Sequence, residues 1–305
     1  MTTTTRRRWL RNGLAFVVVA GCIAFVVSGI VRDIDQVDLE IIVWAPVARA
    51  ALILVVAYVF RALSFAAIVR SMAPGAPWVR SARVFLAAQL GRYVPGKIWQ
   101  VAGAGYLAGR LGVSASASVI GTAYYVVVHN LVGALLGAWA VVQLFPNAAS
   151  SRSGLAVLAI GAVAVAFASS PGFPRLLRWV GKKFGRNLEF EAIPLWIAFF
   201  TVGSSLVVWA LFGVAVVDVF GAVVPDDPAP TLVSAITNMA AASVAGLAVL
   251  VAPSGIGVRE AVFVAAFSPR YSVATAGLVA LLLRLLMSLV ELVLSALSLG
   301  GAAKD

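Results

Sequence analysis

Apolar runs long enough to cross a bilayer recur along this chain, and they leave little freedom in what it can fold into. A hydrocarbon core about 30 Å thick needs about 20 apolar residues per helix. Only helices or closed barrels satisfy the backbone there. Six runs read as full spans, at about 14–31, 47–69, 115–144, 155–168, 194–219 and 274–299. The fold class expected is all-α and polytopic, a single integral membrane domain over 1–305. Only 11% of the residues are charged and 62% are hydrophobic, against about 25% charged in a soluble domain.

The 305 residues carry a formal net charge of +11. The cations cluster between apolar runs, which reads as orientation by the positive-inside rule and as attraction to anionic headgroups. No basic run is interleaved with aromatics on a polar face, so nucleic acid is set aside. Arg6, Arg7, Arg8 and Arg11, within or beside a basic N-terminus over 1–12, precede the first span. Its length argues against the rival reading of a cleaved signal peptide. Arg70, Arg80 and Arg83 follow the second span. The most basic loop carries Arg175, Arg178, Lys182, Lys183 and Arg186. All fall on one side if both termini are cytoplasmic, and the expected location is the plasma membrane. Acidic loops, Asp33 to Glu40 and Asp226-Asp227, fall on the other.

Cys22 and His129 are the only residues of their kinds. An intrachain disulfide and a metal site built on several His or Cys are therefore excluded. No P-loop pattern is present, which argues against direct ATP drive. No cofactor is expected.

Two regions break the pattern. Short apolar pieces at 84–90 and 98–108 flank Tyr93-Val94-Pro95-Gly96. Neither is long enough to cross, so they read as a re-entrant or broken helix pair. The pieces at 231–250 and 261–267 flank Pro253-Ser254-Gly255-Ile256-Gly257. They read as a second pair, although the first arm is long enough to cross. In each region (84–144 and 231–299) a Pro/Gly break, a short helix, a loop and a long helix follow in order. His129 lies 34 positions after Pro95 and Arg284 lies 31 after Pro253. Three full spans separate the pairs, so they should enter from opposite sides as an inverted repeat. The competing reading is coincidence, since Pro and Gly are common in membrane helices.

A charged side chain at membrane depth costs about 2.5–3.5 kcal/mol on insertion scales, so each needs a reason. Arg92 and Lys97 flank the first break, where a half-helix N-terminus presents unpaired N–H groups and a partial positive charge. Such an end binds anions. Snorkelling to the surface is the alternative for both, and Arg61 reads equally as marking the end of its helix. Arg259 and Glu260 open the helix after the second break. Arg284 needs a partner; Glu260 is the first choice and Glu291 the second. A purely structural Glu260–Arg284 pair, or neutralisation of Arg259 by Glu260, competes with a binding role. His129 reads as an interhelical hydrogen-bonding residue before it reads as a proton relay. Gly133 and Gly137 read as packing surface, and Trp99 as an interfacial anchor or the cover of a lipid entrance.

These features resemble the transmembrane, flippase-like region of lysylphosphatidylglycerol synthases and its stand-alone relatives. The resemblance rests on Arg61, on Tyr93-Val94-Pro95-Gly96-Lys97, on Pro253-Ser254-Gly255-Ile256-Gly257-Val258-Arg259-Glu260, and on Arg284, and covers roughly residues 10–300. Many members have Gly-Glu followed one turn later by Arg at the first break, where this chain has Gly96-Lys97 and Gln100. His129-Asn130 stands where those members carry an Arg. The Tyr-x-Pro-Gly-Lys form resembles a branch associated with cell-envelope polyprenol or glycosyl transfer chemistry. Six residues follow Leu299, so the soluble aminoacyl-transfer domain of the synthases is not expected here.

Three functions follow. The first is translocation of an anionic phospholipid or polyprenyl-phosphate-linked lipid, gripped by Arg92, Lys97, Arg259 and Arg284, with Glu260 or His129 titrating if protons are coupled. The second is a non-transporting, lipid-carrier-binding partner of a membrane glycosyltransferase or lipid-modifying enzyme. The third, an enzyme, is disfavoured: Asp218, Asp226 and Asp227 form no metal-type spacing with other acids.

Overall fold

The computed structural model describes residues 42–93, 99–144, 170, 172–173, 175–176, 179, 193–249 and 255–300. The expected spans at 14–31 and 155–168 lie outside the described residues, as do Pro95, Gly96, Lys97 and Pro253. The described helices are α1 (Trp44–Met72), α2 (Trp78–Ala88), α3 (Trp99–Arg110), α4 (Ala115–Leu144), α5 (Leu195–Val223), α6 (Leu232–Ala248), α7 (Val258–Phe267) and α8 (Val273–Gly300). A 3-10 turn, Gln89–Tyr93, extends α2.

Four helices, α1, α4, α5 and α8, are long and apolar enough to cross a membrane. At 1.5 Å per residue the 29 residues of α1 and of α5 reach about 43 Å. The other four are short: 11 residues in α2, 12 in α3, 17 in α6 and 10 in α7. None reaches 30 Å alone, and α6, at 17 residues, is shorter than the apolar run at 231–250 that is long enough to cross. Two boundaries also move. The first short helix begins at Trp78, so Arg80 and Arg83 lie within it rather than in a loop. Pro77, extended at the N-cap, sets that start. The last short helix begins at Val258, three residues earlier than its apolar run suggests, because Gly257 turns the chain at φ +84°.

Local chemistry starts the long helices. Ser114 Oγ accepts the Ala117 N–H before α4, and Ser272 Oγ accepts the Thr275 N–H before α8, at 3.3 and 3.1 Å. Each serine thereby satisfies a donor that the first helical turn leaves unpaired. These two serines close the two loops that the sequence aligns.

The helices associate along small residues. A Cβ on Gly137 of α4 would lie 2.8 Å from Ala241 Cα of α6; glycine lets the two backbones meet. The core is aromatic: Tyr58, Phe65, Phe85, Tyr124, Tyr125, Trp209 and Phe220 are buried. The α8 leucines Leu281, Leu285, Leu289 and Leu297 face outward, as a lipid-contacting surface does. Trp44, Trp78 and Trp196, exposed at helix starts, suit the two membrane interfaces.

Contacts at the helix ends orient the short pairs. Arg49, near the start of α1, donates to Asp218, near the end of α5, through Nε (3.0 Å) and Nη2 (2.6 Å). Val43 N–H also donates to Ala222 O at 3.0 Å. Hence α1 and α5 run antiparallel. At the same end, Tyr271 Oη between α7 and α8 donates to Pro228 O between α5 and α6, at 2.8 Å. At the opposite end, Arg83 Nε donates to Ser298 O (3.1 Å) and Ser295 Oγ to Leu86 O (2.7 Å). The α2–α3 pair is anchored at that second end and the α6–α7 pair at the first.

Candidate functional site

Arg61 lies on α1 about 16 Å from the nearer end of its helix, at 1.5 Å per residue. It is only 6% exposed. This corrects the reading of Arg61 as the mark of a helix end. Its guanidinium sits over the rings of Tyr58, Phe85 and Tyr125, at 5.3, 5.8 and 5.8 Å. The negative ring faces hold the charge by cation–π attraction. Its Nε has no hydrogen-bond partner.

The tip of α2–α3 is held by a carboxylate that the sequence offered only as a second choice for Arg284. Glu291 of α8 is buried. Its Oε1 accepts from Tyr58 Oη at 2.6 Å and from Arg92 Nη1, with which it forms an ion pair. Its Oε2 accepts from Tyr93 Oη at 2.6 Å. Three donors from two elements thus converge on one anion. The 3-10 turn makes this possible, since it brings Arg92 and Tyr93 to bear together on α8. Snorkelling of Arg92 is ruled out by this pairing.

The second tip is built on glycine. Gly255 and Gly257 have φ of +71° and +84°, a region open to glycine at little cost. A Cβ on Gly255 would lie 2.8 Å from Gly246 Cα, so the chain also passes close to α6 there. Glu260 turns back to accept the Gly257 N–H with Oε2 at 2.8 Å. Its Oε1 lies 3.6 Å from Arg284 Nη1. Glu260 therefore caps α7 and partners Arg284. Arg259, one residue earlier, points elsewhere: its Nη2 lies 2.9 Å from Met287 Sδ and 3.7 Å from Met239 Sδ. Thioether sulfur is a weak acceptor.

One cavity of about 130 Å³ unites most of these groups. Arg61, Arg92, Arg259 and His129 line it, with Gln100 from the first tip and Gly255 from the second. His129 is stacked between Tyr125 and Trp209, with centroids 5.6 and 4.9 Å away and planes within 10° and 4°. Glu260 faces a separate small recess beside Met239 and Phe263. Arg284 lies behind Glu260 rather than on the main cavity wall. Of the expected binding residues, the cavity brings together Arg92, Arg259 and His129. Glu260 and Arg284 form their own pair, and Lys97 lies outside the described residues.

Arg61, Glu291, Tyr58 and Tyr93 complete the site. The signal for the first two was present, an isolated charge within an apolar run. The two tyrosines carry no such signal.

Among the described residues the charges do not cancel. Four guanidiniums (Arg61, Arg92, Arg259, Arg284) meet two carboxylates (Glu260, Glu291), and the two carboxylates engage Arg284 and Arg92. Among the described residues neither Arg61 nor Arg259 forms an ion pair. Mid-bundle, where the effective dielectric is lower than in water, such a pair of cations attracts anions more strongly than at a surface. Among the described residues no group of three or more His, Cys, Asp or Glu could hold a metal.

No curated protein and no solved structure matches the chain. The family model described as the lysylphosphatidylglycerol synthase TM region matches residues 13–295. With its apolar spanning helices, the chain is a multi-pass membrane protein that belongs to the lysylphosphatidylglycerol synthase TM region family.

Proposed function

We propose that the protein is a lipid translocator that moves an anionic phospholipid or polyprenyl-phosphate-linked lipid across the plasma membrane, without chemical conversion. The observation that carries this reading is the pair Arg61 and Arg259. They reach one mid-bundle cavity from α1 and α7 and lack carboxylate partners among the described residues. A headgroup phosphate supplies the missing counter-charge, through charge-assisted hydrogen bonds. Acyl or prenyl chains stay in the bilayer.

The opposed short pairs support alternating access. In this reading α2–α3 and α6–α7 are re-entrant arms of an inverted repeat, with both chain termini cytoplasmic. Movement of one tip against the other opens the cavity to each leaflet in turn.

Reconstitution tests this. Purified protein in liposomes carrying a fluorescent phosphatidylglycerol should speed the probe's transbilayer movement over protein-free vesicles, and Arg61→Met and Arg259→Met should each abolish the gain. A protein that binds the probe yet leaves its movement unchanged is instead a carrier-binding partner of a membrane glycosyltransferase or other lipid enzyme.

A further inference from the structure

We infer that Glu291 is a proton site, exchanged for Arg92 when the anion binds, so that each anionic headgroup enters the cavity together with one proton. The inference rests on the anion-binding reading above and adds the coupled ion to it.

The argument starts from Arg92, which has two possible anionic partners. It lines the cavity, and it is the cation paired with Glu291. Glu291 retains 3% side-chain exposure, Arg92 31%. An anion in the cavity therefore reaches Arg92 from its open side, while Glu291 holds it from the closed side. A phosphate that draws Arg92 forward leaves Glu291 buried and without its ion-pair partner. A buried carboxylate without a partner is strongly disfavoured as an anion, and it neutralises by taking a proton.

The remaining ligands of Glu291 suit both states. Tyr58 and Tyr93 hydroxyls donate to the carboxylate at 2.6 Å each. A hydroxyl also accepts, so a protonated Glu291 can donate to one tyrosine oxygen while the other tyrosine keeps donating to the remaining carboxyl oxygen. The balance is closed: one O–H bond forms on Glu291 with a proton from solvent, and one Arg92–Glu291 pair becomes one Arg92–phosphate pair. The net charge added by a monoanionic phosphodiester and its proton is zero.

Charged and titratable groups facing Glu291 from each packed element enter this balance. Tyr58 and Arg61 face it from α1, Arg92 and Tyr93 from the 3-10 turn, and Arg284 and Ser288 lie on its own helix. Arg259 of α7 reaches Met287, one turn away, and Arg83 of α2 binds Ser298 nearer the helix end. From α5 come the uncharged Trp209 and Phe212 of the cavity wall. Arg61 is the cation that opposes protonation. It is held over three rings, and the arriving phosphate offsets its field.

The test is calorimetry of the purified full chain at pH 7, titrated with dihexanoyl phosphatidylglycerol. That probe is a phosphodiester and has no titrating proton near neutrality. Runs in two buffers of different ionisation enthalpy give protons taken up per lipid bound. The expected uptake per lipid bound is about one in wild type and about zero in Glu291→Gln. Uptake that persists in Glu291→Gln overturns the assignment. Wild-type binding without uptake overturns it too, while leaving the anion-binding reading intact. Absence of wild-type binding overturns both. The infrared difference spectrum of wild type needs no variant: a protonated-carboxyl band must appear on lipid addition, and its absence sinks the inference even if Glu291→Gln fails to fold.

Discussion

Arg92 and Glu291 stand 199 positions apart in the chain and form an ion pair in the interior. That pair ties the tip of a short helix pair to the last long helix. Because Glu291 is shielded and Arg92 only partly exposed, their energetics lie closer to those of a buried pair than of a surface bridge. Removal of one partner strands a charge and costs about 3–5 kcal/mol, whereas removal of both is close to neutral. Arg92→Met and Glu291→Leu should each lower the thermal midpoint in detergent, and the double variant should recover most of the loss. Additive losses in the double-mutant cycle would show that the pair does not couple the two elements.

Arg61 and Arg259 should behave in the opposite way. Neither has a carboxylate partner among the described residues, so neutralising either strands no counter-charge. Arg61→Met should cost about 2 kcal/mol of stability, the size of a desolvated cation–π contact, and Arg259→Met less. Loss of a charge-assisted bond, about 1.5–3 kcal/mol, should weaken binding of dihexanoyl phosphatidylglycerol by roughly 10- to 100-fold. Thermal melts and lipid titration of the detergent-solubilised protein read the two effects in turn; an unchanged affinity would remove these residues from the site.

Gly255 combines φ of +71° with close approach to Gly246. Gly255→Ala should destabilise the chain by about 1–3 kcal/mol, the range for a non-glycine residue held in a sparsely populated region. It should also displace Arg259, whose Cβ lies beside the same Gly246. Gly75, at φ +92° with open space around it, is the control: Gly75→Ala carries the backbone strain alone and should leave lipid affinity unchanged. Equal affinity in both variants would argue against a link between the glycine crossing and Arg259.

His129 owes its place to stacking. Its ring lies nearly parallel to Tyr125 and Trp209, and Trp209 Nε1 donates to its backbone carbonyl at 3.2 Å, a bond that any side chain permits. Aromatic pairs contribute about 0.5–1.5 kcal/mol, which phenylalanine retains. His129→Phe should therefore preserve folding stability within about 1 kcal/mol and leave proton uptake on lipid binding unchanged. A loss of uptake would place the proton on His129 rather than Glu291.

Much of this arrangement is legible in the chain alone. The apolar runs around Arg61, Trp209 and Arg284 dictate long helices because an unpaired backbone is intolerable in lipid. The short runs beside Tyr93 and Gly257 are too brief to cross, and glycine marks where the chain turns. Even the serines at 114 and 272 sit where a helix start needs an acceptor. These are local facts, set by period, length and the conformational range of single residues.

Partner choice is a different matter. Whether Arg284 meets Glu260 or Glu291 depends on which face of α8 each neighbouring helix covers. Glu291 lies seven residues along the same helix and Glu260 on the helix before it; the sequence reading puts Glu260 first, but spacing does not fix the partner. Tertiary packing gives Glu260 to Arg284 and Glu291 to Arg92. Packing likewise draws Tyr58 and Tyr93 onto a common carboxylate and leaves Arg61 and Arg259 facing one cavity. Composition told that cations would be buried; only the folded bundle, through long-range contacts that carry no sequence period, decided which of them kept their charge uncompensated.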